Sequence, residues 1–207
     1  MPTTAPREYV QGLFDGYAGD FETHLTQVLK YRAPQVLVEG LRASGRRFER
    51  ALDLGCGTGL CGLQARPLAA TLHGIDLSAN MVQRAVARQV YDEVVQADLV
   101  EYLLATPRRY DLVLAADVFI YVGALEQVFA GVARVMPPQG VFGFSVELAP
   151  PGEDLVLRQS LRYAHSLRYI RKLAEQHGFE ISSTKEHPIR HDQETPIAGL
   201  FAWLARR

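Results

Sequence analysis

The stretch Leu52-Asp53-Leu54-Gly55-Cys56-Gly57-Thr58-Gly59-Leu60 decides how the rest of the chain is read. An apolar run ends in an acid, and a turn with glycine at every second position follows. Glycine enters the left-handed backbone region without a Cβ penalty, so such a turn brings bare backbone against a ligand. Thr58 is placed to cap a helix that begins near Leu60. The run Gly57-Thr58-Gly59-Leu60-Cys61-Gly62 also satisfies the GxGxxG spacing of a dinucleotide-binding turn. Asp53 weighs against that reading, because a carboxylate beside the loop repels a pyrophosphate and attracts a cation.

Strands and helices alternate downstream of the loop. The pattern predicts a strand over Arg50–Leu54, a helix over Cys56–Arg66 stopped by Pro67, and a strand over Thr71–Ile75 ending at Asp76. Ser78 caps a helix over Met81–Gln89, and a strand over Glu93–Gln96 runs up to Asp98. A helix over Leu99–Ala105 stops at Pro107. Tyr110–Ala116 is apolar without alternation, as a central strand covered on both faces should be. A helix over Gly123–Val135, broken by Pro137-Pro138, leads to a fifth strand over Gly140–Glu147. This repeat implies right-handed crossovers and a doubly wound α/β domain. Asp53, Asp76 and Asp98 end three successive strands, and the carboxyl ends of parallel strands line the ligand crevice of such a sheet.

Upstream, the apolar spacing from Tyr9 to Tyr31 predicts two short helices bent at Gly16 and Gly19, and Pro34–Leu41 a further helix. Phe14 and Phe21 are expected to pack on the sheet, and Tyr17 to contact a ligand. Beyond the fifth strand, residues 148–168 carry no comparable motif, and Leu155–Tyr163 reads as an irregular mixed stretch. Arg168–His177 is expected to be a helix ended by Gly178. The C-terminal part reads as a hairpin of Phe179–Glu186 and an interior strand Ile197–Leu204, with a turn around Arg190 to Glu194. His187 and His191, beside that turn, are expected in solvent.

A chain of 207 residues with 48% hydrophobic and 22% charged content is enough for one domain with a sizeable core. Residues 1–207 are read as that domain, with 1–47 the N-terminal helices and connection and 48–207 the core. A net charge of −1 gives no broad pull toward nucleic acid or an anionic membrane. No apolar run approaches the roughly 18 residues of a membrane span, and Met1–Arg7 lacks a leader pattern, so a cytoplasmic location is expected. Cys56 and Cys61 are too few for a disulfide framework and lack zinc-site spacing, so no metal is expected and packing is their role.

The stretch from Leu52 to Leu60 resembles motif I of the class I S-adenosylmethionine-dependent methyltransferases. Phe14-Asp15-Gly16-Tyr17-Ala18-Gly19-Asp20-Phe21-Glu22-Thr23-His24-Leu25 resembles the lid preceding the core in small-molecule members, in particular a bacterial group related to quinone- and biotin-pathway enzymes. The resemblance implies a seven-stranded, mostly parallel sheet of order 3-2-1-4-5-7-6 under an N-terminal helical lid. It implies S-adenosylmethionine as cofactor and a small-molecule acceptor as partner.

By the same resemblance, Gly55, Cys56, Gly57, Thr58 and Gly59 form the cofactor loop and Asp53 faces the methionine end. Asp76 accepts from both ribose hydroxyls, and Asp98, between Ala97 and Leu99, holds the adenine amino group. Leu77, Met81 and Leu99 build the adenine slot, while Ala115 and Ala116 leave room for the cofactor. Asp117 either points into the reaction space or caps the following turn. Arg32 is the candidate partner of the cofactor carboxylate. Arg162, Tyr163, His165 and Tyr169 fall on the acceptor side, with Tyr17 positioning a ligand and His165 serving as base where one is needed. A noncatalytic S-adenosylmethionine- or S-adenosylhomocysteine-binding module is the alternative, followed by an NAD-dependent oxidoreductase.

Overall fold

The computed structural model describes residues 4–17, 31–192 and 195–207, the side chains of 15–17 and 192 excepted. Helix α1 spans Arg7–Tyr17 and α2 Ala33–Ala43, and β1 (Phe48–Leu54) opens the alternating core. It continues through α3 (Leu60–Ala65), β2 (Ala69–Asp76), α4 (Ala79–Ala87), β3 (Glu93–Gln96), α5 (Leu99–Ala105) and β4 (Leu112–Ala115). Then come α6 (Glu126–Val135), β5 (Val141–Leu148), β6 (Leu155–Leu157), β7 (Tyr163–His165), α7 (Leu167–Gln176), β8 (Phe179–Asp192) and β9 (Thr195–Arg206).

Strands β3-β2-β1-β4-β5 run parallel, and β9 pairs antiparallel with both β5 and β8. Counting only these seven, the order is the expected one. Two short strands are additional: β6 lies in the stretch read as irregular, and β7 begins at its last residue. β9 occupies one edge of β5 as far as Glu147, and β4 occupies the other only as far as Phe144. β7 pairs with Glu147 and Leu148, so it takes the edge left free above the end of β4. The β6-β7 hairpin thus stands at the carboxyl ends of the strands, where a doubly wound sheet holds its ligands.

The core lies on both faces of the sheet. On one, α5, α6 and α7 bury Leu103, Val128, Phe129, Val132, Ile170 and Leu173 against Leu52, Leu54, Val113, Phe142 and Phe144. On the other, α2 and α3 bury Leu37, Val38, Leu41, Cys61 and Ala65 against Ala51, Leu72, Leu112 and Leu114. The fully buried β4, Leu112 to Ala115, accounts for its unalternating sequence.

Two boundaries move for physical reasons. α3 begins at Leu60 rather than Cys56, because Gly59 at φ 94° is its N-cap and the four preceding residues are the loop. Thr58 therefore makes no cap. β8 continues to Asp192, so Arg190 lies in a strand and not in a turn. The second of the two helices expected between Tyr9 and Tyr31 lies outside the described residues.

Candidate active site

A cavity of about 790 Å³ opens at the carboxyl ends of the strands. One end is the glycine loop. Gly55 and Gly57 both adopt positive φ, at 62° and 54°, as the sequence requires. A Cβ on Gly55 would meet Val118 at 2.7 Å, whereas one on Gly57 would meet nothing within 4 Å. Gly57, Cys56 and Thr58 line the cavity, and the Thr58 hydroxyl is buried with no hydrogen-bond partner among the described residues. Asp76 accepts from the Gly57 amide at 2.8 Å and the Ser78 amide at 2.9 Å, fixing the loop to the end of β2.

Leu77, Ala97, Asp98 and Leu99 continue this wall. Asp98 is the N-cap of α5, accepting from the Val100 and Glu101 amides at 2.9 and 3.1 Å. Its other oxygen lies 3.3 Å from Nε of Arg7, whose Nη1 pairs with Glu101 at 2.8 Å. Helix α1 is thereby tied over this end, and the Ala5 amide and Thr4 hydroxyl reach the Tyr121 carbonyl at 3.1 and 3.2 Å. Phe14 meets the Tyr121 ring edge-on rather than packing on the sheet.

The opposite end is ionic. Asp117, at φ 59°, accepts two hydrogen bonds from Nη1 of Arg190, at 2.9 and 2.8 Å, and Nη2 of Arg190 donates to Glu147. Arg158 approaches the other Glu147 oxygen at 3.1 Å. Burial pushes the Asp117 carboxyl up and Arg190 draws it back, while Asp117 and Glu147 hold Arg190 protonated against its own burial. Arg190 reaches this place because the register of β8 on β9 shifts between Pro188 and Arg190, a bulge that buries Ile189 and turns the next side chain inward. Asp117 is thus a cavity residue held by a cation, not a turn cap.

Several expected site residues stand elsewhere. Asp53 does not line the cavity. It points to the α3 face beneath the loop, 1% exposed, where Oδ2 accepts from the Tyr91 hydroxyl at 2.7 Å and Oδ1 has no partner among the described residues. Burial raises its carboxyl to about 7, so the fixed negative charge invoked beside the loop is partly titrated at neutral pH. Arg32 is the exposed residue before α2, its amide spent on the Ile189 carbonyl, and the inward residues of that bend are Tyr31 and Pro34. Gly59 shapes the loop, Met81 packs behind the slot and Ala115 lies inside the sheet; Ala116 is the residue that faces the cavity.

His165 is fully buried in β7. Its Nε2 lies 2.8 Å from the Gly123 carbonyl, Nδ1 is without a partner among the described residues, and the ring stacks on Tyr169. Burial lowers it to about 4, so it stays neutral and away from the cavity. The side chain of Tyr17 lies outside the described residues. Sequence reasoning put Arg190 in a turn and His191 in solvent, yet both line the cavity, His191 with Nδ1 buried and unpartnered among the described residues. The signal available was indirect: lone acids at the ends of β4 and β5 require a cation. No group of acids, histidines and cysteines able to hold a metal occurs among the described residues, and none of their helices is long and apolar enough to cross a membrane.

Residues 51–140 match the family model of the methyltransferase domain. The chain is 31% identical over 156 residues to the malonyl-[acyl-carrier protein] O-methyltransferase of Enterobacter lignolyticus, aligning 75% of its length with 59% of that protein. It is 25% identical over 173 residues to the ubiquinone biosynthesis O-methyltransferase of Klebsiella pneumoniae, 77% against 72%. The chain therefore spans less than two thirds of the Enterobacter protein. Among solved structures, the magnesium protoporphyrin IX methyltransferase of Synechocystis PCC 6803 with bound S-adenosylhomocysteine shares the fold. It superposes with a TM-score of 0.75 over 97% of this chain and 99% of that one, at 18% identity. The methyltransferase-domain match over residues 51–140 takes in the glycine loop and all three acids, Asp53, Asp76 and Asp98.

Proposed function

We propose that the protein transfers the methyl group of S-adenosylmethionine to a small-molecule acceptor, and that residues 1–207 act as one domain in doing so. The observation that carries this reading is the convergence of Gly57, Thr58, Asp76 and Asp98 on one end of a single cavity that continues past Ala116 to a second, ionic end. The first end offers what the donor requires. The Asp76 carboxylate accepts from the ribose diol, the unpartnered Thr58 hydroxyl and the loop backbone take the chain of the amino acid, and Leu77 and Leu99 flank the adenine beside Asp98. Bound S-adenosylmethionine supplies a methyl on a sulfonium, which departs as a neutral thioether.

The protein's share of the work is then to hold donor and acceptor in line and to keep water out, both of which the apolar walls at Tyr31, Pro34 and Val118 serve. The names of the two curated relatives support oxygen as the acceptor atom. We place the enzyme in the cytoplasm, in keeping with the absence of a membrane-length apolar helix among the described residues.

Calorimetry of S-adenosylmethionine and S-adenosylhomocysteine binding tests the donor site. Asp76→Ala should weaken both by about 1.5 to 3 kcal/mol, the cost of losing hydrogen bonds to a charged group. Unchanged affinity in a folded variant removes the ribose assignment. NAD binding more tightly than either ligand would return the oxidoreductase reading, and donor binding without methyl transfer to any acceptor would leave a binding module.

A further inference from the structure

We infer that the acceptor is a small organic acid whose carboxylate is anchored by Arg162, an assignment that rests on the methyltransferase reading of the cavity. The β6-β7 hairpin closes with the Arg158 amide donating to the Arg162 carbonyl at 2.9 Å and the Leu161 amide to the Arg158 carbonyl at 2.9 Å. Arg158 and Arg162 are therefore directly opposite each other on one face of the hairpin. Like charges in that position oppose folding. Leu161 adds to the cost, since it holds φ 59° without being glycine and exposes about half of its side chain. A turn that is unfavourable on both counts is a candidate for function rather than stability.

The destinations of the guanidinium groups differ. Arg190 is spent on Asp117 and Glu147, and Arg158 on Glu147 and, at 2.7 Å, the Leu148 carbonyl. Arg162 has no ion-pair partner among the described residues. Its positive charge acts on the Tyr121 hydroxyl, and it lines both the main cavity and the smaller cleft beside Glu147. Arg190 and Arg158 are thus engaged by Asp117 and Glu147, whereas Arg162 acts on Asp117 only from a distance and has no carboxylate in ion-pair contact among the described residues. His191 lines the same space, with its Nδ1 buried and unpartnered among the described residues.

A carboxylate supplies the missing charge, and its two oxygens match the planar fork of arginine. Leu13, Phe14, Val118 and Ile120 give part of the remaining wall an apolar surface, which suits an apolar or aromatic body in the rest of the acceptor. The carboxylate acts as the handle, and the methyl is received on the part of the molecule nearer the glycine loop.

The test is a titration of protein saturated with S-adenosylhomocysteine against matched pairs: benzoate and benzamide, phenylacetate and phenylacetamide, cinnamate and cinnamamide. At least one acid should bind about tenfold or more tightly than its amide, a preference that Arg162→Gln abolishes and Arg162→Lys keeps in part. Unchanged S-adenosylhomocysteine affinity in Arg162→Gln shows that the variant is folded. No acid preference in any pair overturns the anchor, as does a preference that survives in Arg162→Gln. Inorganic phosphate displacing a probe while no acid is favoured over its amide likewise overturns it, in favour of a phosphate ligand. Protein that fails to bind S-adenosylhomocysteine at all defeats the methyltransferase reading instead, so the two failures are separable.

Discussion

Arg190 and Asp117, 73 residues apart in sequence, meet through both oxygens of one carboxylate at 2.9 and 2.8 Å, with the arginine 2% exposed. Taking either ion from water is costly, and the pair persists because Glu147 and the Ser145 hydroxyl, which accepts from the Asp117 amide at 2.9 Å, complete the network. The pair joins β8 to the end of β4 across the mouth of the cavity.

Removing Arg190 leaves Asp117 buried without its cation, whereas removing Asp117 leaves Arg190 still paired with Glu147. Arg190→Met should therefore destabilise the protein by about 3 to 5 kcal/mol. Adding Asp117→Asn to Arg190→Met should recover part of that loss, because no lone carboxylate then remains. Urea unfolding of the two single variants and the double variant measures the coupling. Strictly additive losses would show that the pair contributes nothing as a pair.

Two buried groups should impose opposite pH slopes on stability. Asp53 titrates at about 7 in the fold against an ordinary value of 3.8, so between those values the folded state binds the extra proton and stability falls as pH rises. His165 titrates at about 4 against 6.5, so there the unfolded state binds the extra proton and stability rises with pH. The slopes offset each other between about pH 4 and 6.5. Asp53→Asn should expose the rising slope and His165→Gln the falling one. Melting temperatures across this range that respond identically in both variants would contradict the burial of these two groups.

Much of this was legible in the residues. The acids ending β1, β2 and β3 and the glycines between them gave the fold, because backbone conformation and strand ends are local properties. Arg190 was not legible, because the bulge at Ile189 that turns it inward depends on pairing with β9. Asp53 misled for a related reason. Its place at a strand end was correct, but which face of the pleat it occupied was set by Tyr91 and α3. Arg32 was chosen for its chemistry and failed on direction, since the bend into α2 sends Tyr31 inward.

Arg32→Ala should accordingly leave S-adenosylhomocysteine affinity within about twofold, the range of an exposed side chain without a partner in the site. A loss of tenfold or more would return Arg32 to the cofactor carboxylate and require the segment before α2 to close further on binding.

The two loop glycines separate conformational cost from occupancy. Both sit at positive φ, where an alanine costs roughly 1 to 2 kcal/mol. Gly55→Ala adds a collision with Val118 at 2.7 Å, so it should lose more stability than Gly57→Ala and regain some of it when combined with Val118→Ala. Gly57→Ala meets no protein atom within 4 Å, and its new methyl stands where the cavity is lined by Gly57 itself. Its larger effect should therefore fall on ligand affinity, at about tenfold or more for S-adenosylhomocysteine, with only the conformational cost in the melting temperature. If Gly57→Ala bound the ligand as tightly as the parent protein while Gly55→Ala did not, the backbone at Gly57 would not be a contact surface, and the donor site would have to be moved along the loop.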